Sequence, residues 1–383
     1  MKKDTRNLYK VNNILELDKA LYGKEGEIEP VLYKKLINGM KEINTAHFEN
    51  REVEIQAFIR NLFDSKEFTA QDNLIKWFDL AEYKEMIENI RKDKDRSETS
   101  ALKDVKIHKQ PLQIQDFSVF ENLEKEIPNF KNVVDYYRGA FAMNKTRKNS
   151  EYVAPRPILL LGEAGIGKTY FANSLAKLLN TSYNFFDSNS ISTSWALSGS
   201  SPSWRGADAG LIFKTLAESV NISPVITLDE IDKLQINSQN SPFSLFHQMF
   251  EKENARKFYD EYLKFYFDAS NIIYVLTANS IRNIPESLLS RMEVFNIPNP
   301  SKDEMRLVAQ NIYNKELNGS QFFTSKLNDE QLDLLSDLRP REVQKLISVS
   351  INSQLSKNVY DLGKTNQTLE LFNKKSDIPR MGF

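Results

Sequence analysis

Residues 162–169 read GEAGIGKT, directly after the apolar run PILLL and directly before the helical pattern YFANSLAKLL. Glycines at both ends of this stretch let the backbone curl until its N–H groups point inward. A helix that begins at such a loop aims its positive end at an anion. In this arrangement Lys168 reaches the β- and γ-phosphates of a nucleotide, and the Thr169 hydroxyl holds Mg²⁺. A plain glycine turn between strand and helix needs neither the lysine nor the hydroxyl in that order. The candidate ATP-binding segment is therefore Gly162, Glu163, Ala164, Gly165, Ile166, Gly167, Lys168, Thr169 and the adjoining Tyr170.

A strand feeding a phosphate loop and a helix belongs to a parallel sheet, and the flanking sequence supplies the rest of one. The runs PILLL (157–161), SYNFFD (182–187), PVITL (224–228), IIYVLT (272–277) and EVFNI (293–297) alternate with helical patterns. This is the texture of an α/β fold with a five-stranded parallel sheet and helices on both faces. Before it, EIQAFIRNLF and NLIKWFDLAEYKEMIENIRK repeat apolar residues at three and four, so residues 1–111 are expected to be a helical domain. Its last segment, 92–111, is dense in alternating charge and reads as a linker or exposed hairpin. Residues 112–300 form the expected nucleotide-binding subdomain. Residues 301–383, helical again through DEMRLVAQNIYNKEL and PREVQKLISVSINSQL, form a small helical lid.

Composition narrows the function classes. The formal charge is −1, from 51 basic and 52 acidic residues, and gives no general attraction to nucleic acid or anionic lipid. No cysteine is present, which removes disulfides, iron–sulfur clusters and thiolate zinc sites. The absence of a signal-like start and of a membrane-length apolar run leads to the expectation of a soluble, cytoplasmic protein.

A bound nucleotide needs further groups before it is hydrolysed. PVITLDEIDKL places Asp229 and Glu230 at the carboxyl end of a strand expected beside the first one; there Asp229 organises Mg²⁺ and Glu230 polarises the attacking water. IIYVLTANS ends at Asn279, whose amide offers both a donor and an acceptor to the γ-phosphate and the water. Arg291, after IPESLLS, stands too far along the fold to reach its own subunit's nucleotide easily. Supplied to a neighbour it neutralises transition-state charge; a surface salt bridge is the competing role. Arg341, beside Pro340 at a helix start, either reports on the phosphates or is a solvated arginine.

This ordered series resembles the AAA+ ATPases, and within them the ATPase module of Lon proteases, over about residues 120–350. LDEIDKL, SPFSLFHQMFEKENARKFYDEYLKFYFDASNIIYVLTANS and NIPESLLSRMEVFNIP carry the likeness. By that resemblance Lys168 and Thr169 are the Walker A residues, Asp229 and Glu230 the Walker B pair, Asn279 sensor 1, Arg291 the arginine finger and Arg341 sensor 2. The resemblance also puts Tyr136 near the adenine, with Tyr137 competing, and makes Trp204 with Arg205 a substrate-gripping pore loop. A tryptophan packed beneath its loop is the alternative. Ala164 departs from the proline common in the family. The 383 residues leave no room beyond the lid for the Lon peptidase, so none is expected.

The implied function is a self-assembling ring, a hexamer, that hydrolyses ATP with Mg²⁺ and remodels or translocates a protein substrate or partner. A nucleotide-controlled switch or scaffold of a bacterial defence or toxin system uses the same residues without threading. A nucleic-acid motor is disfavoured by the near-neutral charge and the lack of a DNA-binding motif.

Overall fold

The computed structural model describes residues 75–92, 102, 105–147, 152–188, 194–234, 242–358 and 365–371. The helix expected in EIQAFIRNLF lies outside these residues. The chain divides into two compact units, one of them made of Leu112–Leu197, Ser223–Ala255 and the chain from Ser270 onward.

That larger unit holds five strands, β1 (Ile158–Leu161), β2 (Tyr183–Asp187), β3 (Val225–Asp229), β4 (Ile273–Ala278) and β5 (Glu293–Asn296). All pair in parallel, in the order β2-β3-β4-β1-β5. The inner strands are continuous apolar runs because helices cover both faces: Ile158, Leu159, Val225, Ile226, Ile273 and Leu276 are fully buried. One expectation is corrected here. The strand bearing Asp229 is not beside the strand that feeds the phosphate loop; β4 lies between them, with Leu160 opposite Thr277 and Leu228 opposite Leu276. Chain order does not set sheet order when every crossover passes over a face, so this adjacency was open in the sequence.

Among the described residues the longer helices of this unit are α1 (Ser118–Glu126), α2 (Lys131–Thr146), α3 (Lys168–Leu178), α4 (Pro242–Phe250), α5 (Lys302–Leu317), α6 (Asp329–Ser336) and α7 (Pro340–Lys357). Helix α3 buries Phe171, Ala172 and Leu175, and Phe130 stacks on Phe171 with ring centres 4.9 Å apart. Helix α5 opens with a capping box, in which Ser301 N donates to the Glu304 carboxylate at 2.7 Å and Glu304 N to the Ser301 hydroxyl at 3.3 Å. The last three helices close over a core of their own that includes Met305, Tyr313, Leu335, Val343 and Ile347.

The smaller unit joins the described part of 1–111 to Ser198–Ile222 and Arg256–Ala269. It contains the helices Leu80–Lys92 and Leu211–Glu218, the antiparallel pair Ile75–Lys76 with His108–Lys109, and the hairpin Phe258–Asp260 with Phe265–Phe267. Trp77 centres its core, 5.6 Å from Phe213 and 5.7 Å from Phe267. Two readings change here. Residues 198–222 and 256–269 pack with this unit rather than within the nucleotide-binding subdomain. Residues 108–109 are a strand rather than a linker, and Lys109 is buried, donating to the Ser219 carbonyl at 2.6 Å. Burial pulls the Lys109 pKa down to about 8. The lysine caps the carbonyl end of a helix a hundred residues away, a partner that charge patterning in a short window cannot reveal.

Candidate nucleotide site

The loop after β1 needs glycine where backbone freedom or close approach demands it. Gly167 has φ +105° and forms the N-terminal cap of α3. At Gly162 a Cβ would meet Ile166 Cδ1 at 2.6 Å and the Ile297 carbonyl oxygen at 2.8 Å. The loop opens into a cavity of about 380 Å³ lined by residues 164–170, Asp229, Glu230, Thr277, Asn279 and Arg341, with Ile127, Val308 and Ile312 as apolar walls.

Lys168 is buried, and its ammonium donates to the carbonyls of Gly162 (2.7 Å) and Glu163 (2.9 Å) and to Asn279 Oδ1 (2.9 Å). Burial pushes its pKa below the ordinary value, against the charges of Asp229, Asp232 and Glu230, which hold it up. Among the described residues this buried cation has three neutral acceptors and no counter-anion in direct contact, and a phosphate supplies one. The Thr169 hydroxyl donates to Asp229 Oδ1 at 2.9 Å, so a hydroxyl and a carboxylate already stand together as the oxygen donor set that Mg²⁺ prefers. The residues present therefore fit both a nucleotide triphosphate and its metal.

The structure adds groups that the sequence reading missed. The fully buried Thr277 hydroxyl donates to Asp229 Oδ1 at 2.6 Å and accepts from Glu230 N at 2.9 Å. It thereby ties both acids to β4. Glu230 sits in the left-handed region, φ +55°, with its carboxylate paired to Lys233. Asp232 accepts from the N–H groups of Asn279 and Ser280, each at 3.2 Å, and so braces the sensor loop. Two hydrophilic letters were the available signals, Thr277 within an otherwise apolar strand and Asp232 in LDEIDKL.

The remaining sequence candidates are distributed as follows. Glu163 is exposed and forms a 2.5 Å ion pair with Arg339. Arg341 lines the cavity, its Cβ 3.4 Å from where a side chain on Gly165 would begin. Arg291 is not among the lining residues; it donates to the Ser287 carbonyl at 2.6 Å and pairs with Glu251 at 3.2 Å. Tyr136 is corrected: it donates to the Arg156 carbonyl at 3.3 Å and packs on Phe295, while Tyr137 is fully buried, and neither lines the cavity. The apolar wall comes instead from Ile127 and the lid helix α5. Trp204 and Arg205 lie on a tight turn of the smaller unit, closed by Trp204 N to the Ser201 carbonyl and Ala207 N to the Trp204 carbonyl. Trp204 is 47% exposed.

The family described as ATPase family associated with various cellular activities (AAA) matches residues 158–298. Lon protease 1 of Borreliella burgdorferi is 32% identical over 196 residues, which is 51% of this chain and 24% of that protein. The Lon protease of Campylobacter jejuni is 30% identical over 308 residues, 76% of this chain and 38% of its own length. The chain thus spans between about a quarter and two fifths of the length of these curated relatives. A closed-state cryo-EM reconstruction of Hsp104 with ATPγS and FITC casein shares the fold, with a TM-score of 0.53 and 17% identity over 66% of this chain and 51% of that one. Residues 158–298 therefore form an AAA ATPase domain, and Lon proteases are relatives of this part of the chain.

Proposed function

We propose that the chain hydrolyses ATP with Mg²⁺ as a ring of six subunits, and that the cycle remodels or translocates a protein. The network joining Thr169, Asp229, Thr277 and the Glu230 N–H carries the reading, because it gathers metal-binding and water-activating groups beside a buried lysine. Lys168 exchanges its loop carbonyls for the β- and γ-phosphates, while Thr169 and Asp229 hold Mg²⁺. When bound, the metal polarises the phosphoryl oxygens and neutralises their charge. Glu230 takes the proton of the attacking water once its carboxylate leaves Lys233, and Asn279 orients that water.

Arg291 supports assembly: its guanidinium is held outside the cavity by a half-exposed pair with Glu251, which a neighbouring subunit's nucleotide can replace. The exposed Trp204 supports a polypeptide substrate, since a flat side chain grips apolar and polar residues alike. The Hsp104 neighbour with casein points the same way. Glu230→Gln, given ATP and Mg²⁺, should retain nucleotide, lose most turnover and accumulate as rings visible by electron microscopy. Turnover at the wild-type rate would remove Glu230 from its assigned role.

A further inference from the structure

One corner of the cavity is polar for reasons the phosphate loop does not explain. Glu126, the last residue of α1, Tyr170 of α3 and Lys315 of α5 all line it. Glu126 Oε1 accepts hydrogen bonds from the Tyr170 hydroxyl and from Lys315 Nζ, and the Lys315 ammonium lies 4.4 Å from the Tyr170 ring centre. Both bonds fall on one oxygen. Among the described residues none donates to Oε2, so the carboxylate is held in place with an acceptor to spare.

A carboxylate accepts and does not donate, and it repels phosphate. The donors a nucleoside triphosphate can offer it are the ribose hydroxyls and the base amines. The sugar is bonded to the α-phosphate, so with the phosphates on residues 165–169 it lies in the neighbouring part of the cavity, whose wall includes Tyr170 and Glu126. Ile127, Val308 and Ile312 give the flat base an apolar wall and leave the sugar to the polar corner. The geometry points to Glu126 as a specificity-determining residue: its free oxygen accepts the ribose 2′-hydroxyl, so the site takes ribonucleotides in preference to 2′-deoxyribonucleotides. Tyr170 and Lys315 act as positioning residues that stop the carboxylate from turning away. This inference rests on the nucleotide site proposed above.

Calorimetric titration of the full chain with ADP and with 2′-deoxy-ADP, both with Mg²⁺, tests it without hydrolysis. A charge-assisted hydrogen bond predicts a wild-type preference for ADP on the order of tenfold or more. Glu126→Ala should bring the two affinities together, chiefly by weakening ADP. Should that variant fail to fold, Glu126→Gln, isosteric and uncharged, should shrink the preference to about threefold. A wild type that does not distinguish the two ligands, or a preference unchanged in the folded variant, overturns the assignment. So does an Ala variant that instead loses a preference for ADP over inosine diphosphate, because the carboxylate would then read the base amine. Failure of the nucleotide site itself looks different, since neither ADP nor its deoxy form would bind.

Discussion

Thr277, which no sequence motif singled out, joins the two acids of the site to the sensor strand. Its hydroxyl has one proton and spends it on Asp229, and its lone pair satisfies the Glu230 N–H, so the two acids keep a fixed relation to the sensor strand. Thr277→Val keeps the volume and removes both bonds. It should cost about 1–3 kcal/mol in urea unfolding, through the orphaned N–H and carboxylate, and lower kcat on the order of tenfold. Nucleotide affinity measured by calorimetry should change less, because Lys168 and the loop glycines are untouched. Lys168 and Thr169 were legible as letters because their chemistry depends on a local loop. Thr277 was not, because its role arises only when β3 and β4 lie side by side.

At the scale of elements, the hairpin Phe258–Asp260 with Phe265–Phe267 shows how one buried carboxylate fixes a helix. Asp260 is fully buried and accepts from the N–H groups of Gly210 (2.7 Å), Leu263 (2.9 Å) and Tyr262 (3.0 Å), while Gly199 leaves no space for a side chain beside it. It thus closes the neck of the loop that carries Trp204. Burial raises its pKa to about 6, only partly opposed by those N–H groups. A folded-state value above the unfolded one means that the native state holds the proton more tightly. The associated stability, on the order of 3 kcal/mol, is therefore fully present below about pH 4 and is lost as pH rises through about 6. Denaturant unfolding from pH 4.5 to 7 should show this fall in the wild type and a shallower one in Asp260→Asn. Read from the sequence, FYDEYLKFYF belonged to the larger subdomain; the contacts that say otherwise are those of Trp77 with Phe213 and Phe267, between residues far apart in the chain.

For the whole molecule, the proposed ring makes each site depend on a second copy. Arg291→Ala and Lys168→Ala should each be nearly inactive alone, the first for want of a guanidinium next door and the second for want of bound nucleotide. Mixed together they should recover a measurable fraction of ATPase activity, since a Lys168→Ala subunit still offers its Arg291 to an Arg291→Ala neighbour. No recovery under conditions where the variants co-assemble would place Arg291 with Glu251 as a surface pair only. Trp204→Ala should lower the amount of protein remodelled per ATP consumed, followed with an unfolding reporter. A ratio equal to wild type would separate the exposed turn from substrate handling.

The local instructions were written in the chain itself. Glycine in the phosphate loop, proline at a helix start and apolar runs alternating with helical patterns act through neighbours a few residues apart, so the phosphate loop, the five strands and two of the lid helices could be read directly, while the helix Asp329–Ser336 was not. Tertiary structure alone decided that β4 lies between β1 and β3, that Tyr136 packs on Phe295, that Lys109 is buried and that Glu126 meets Lys315. Each of those depends on which surfaces a folded chain can bury together, a choice made by long-range packing and desolvation rather than by any short window of residues.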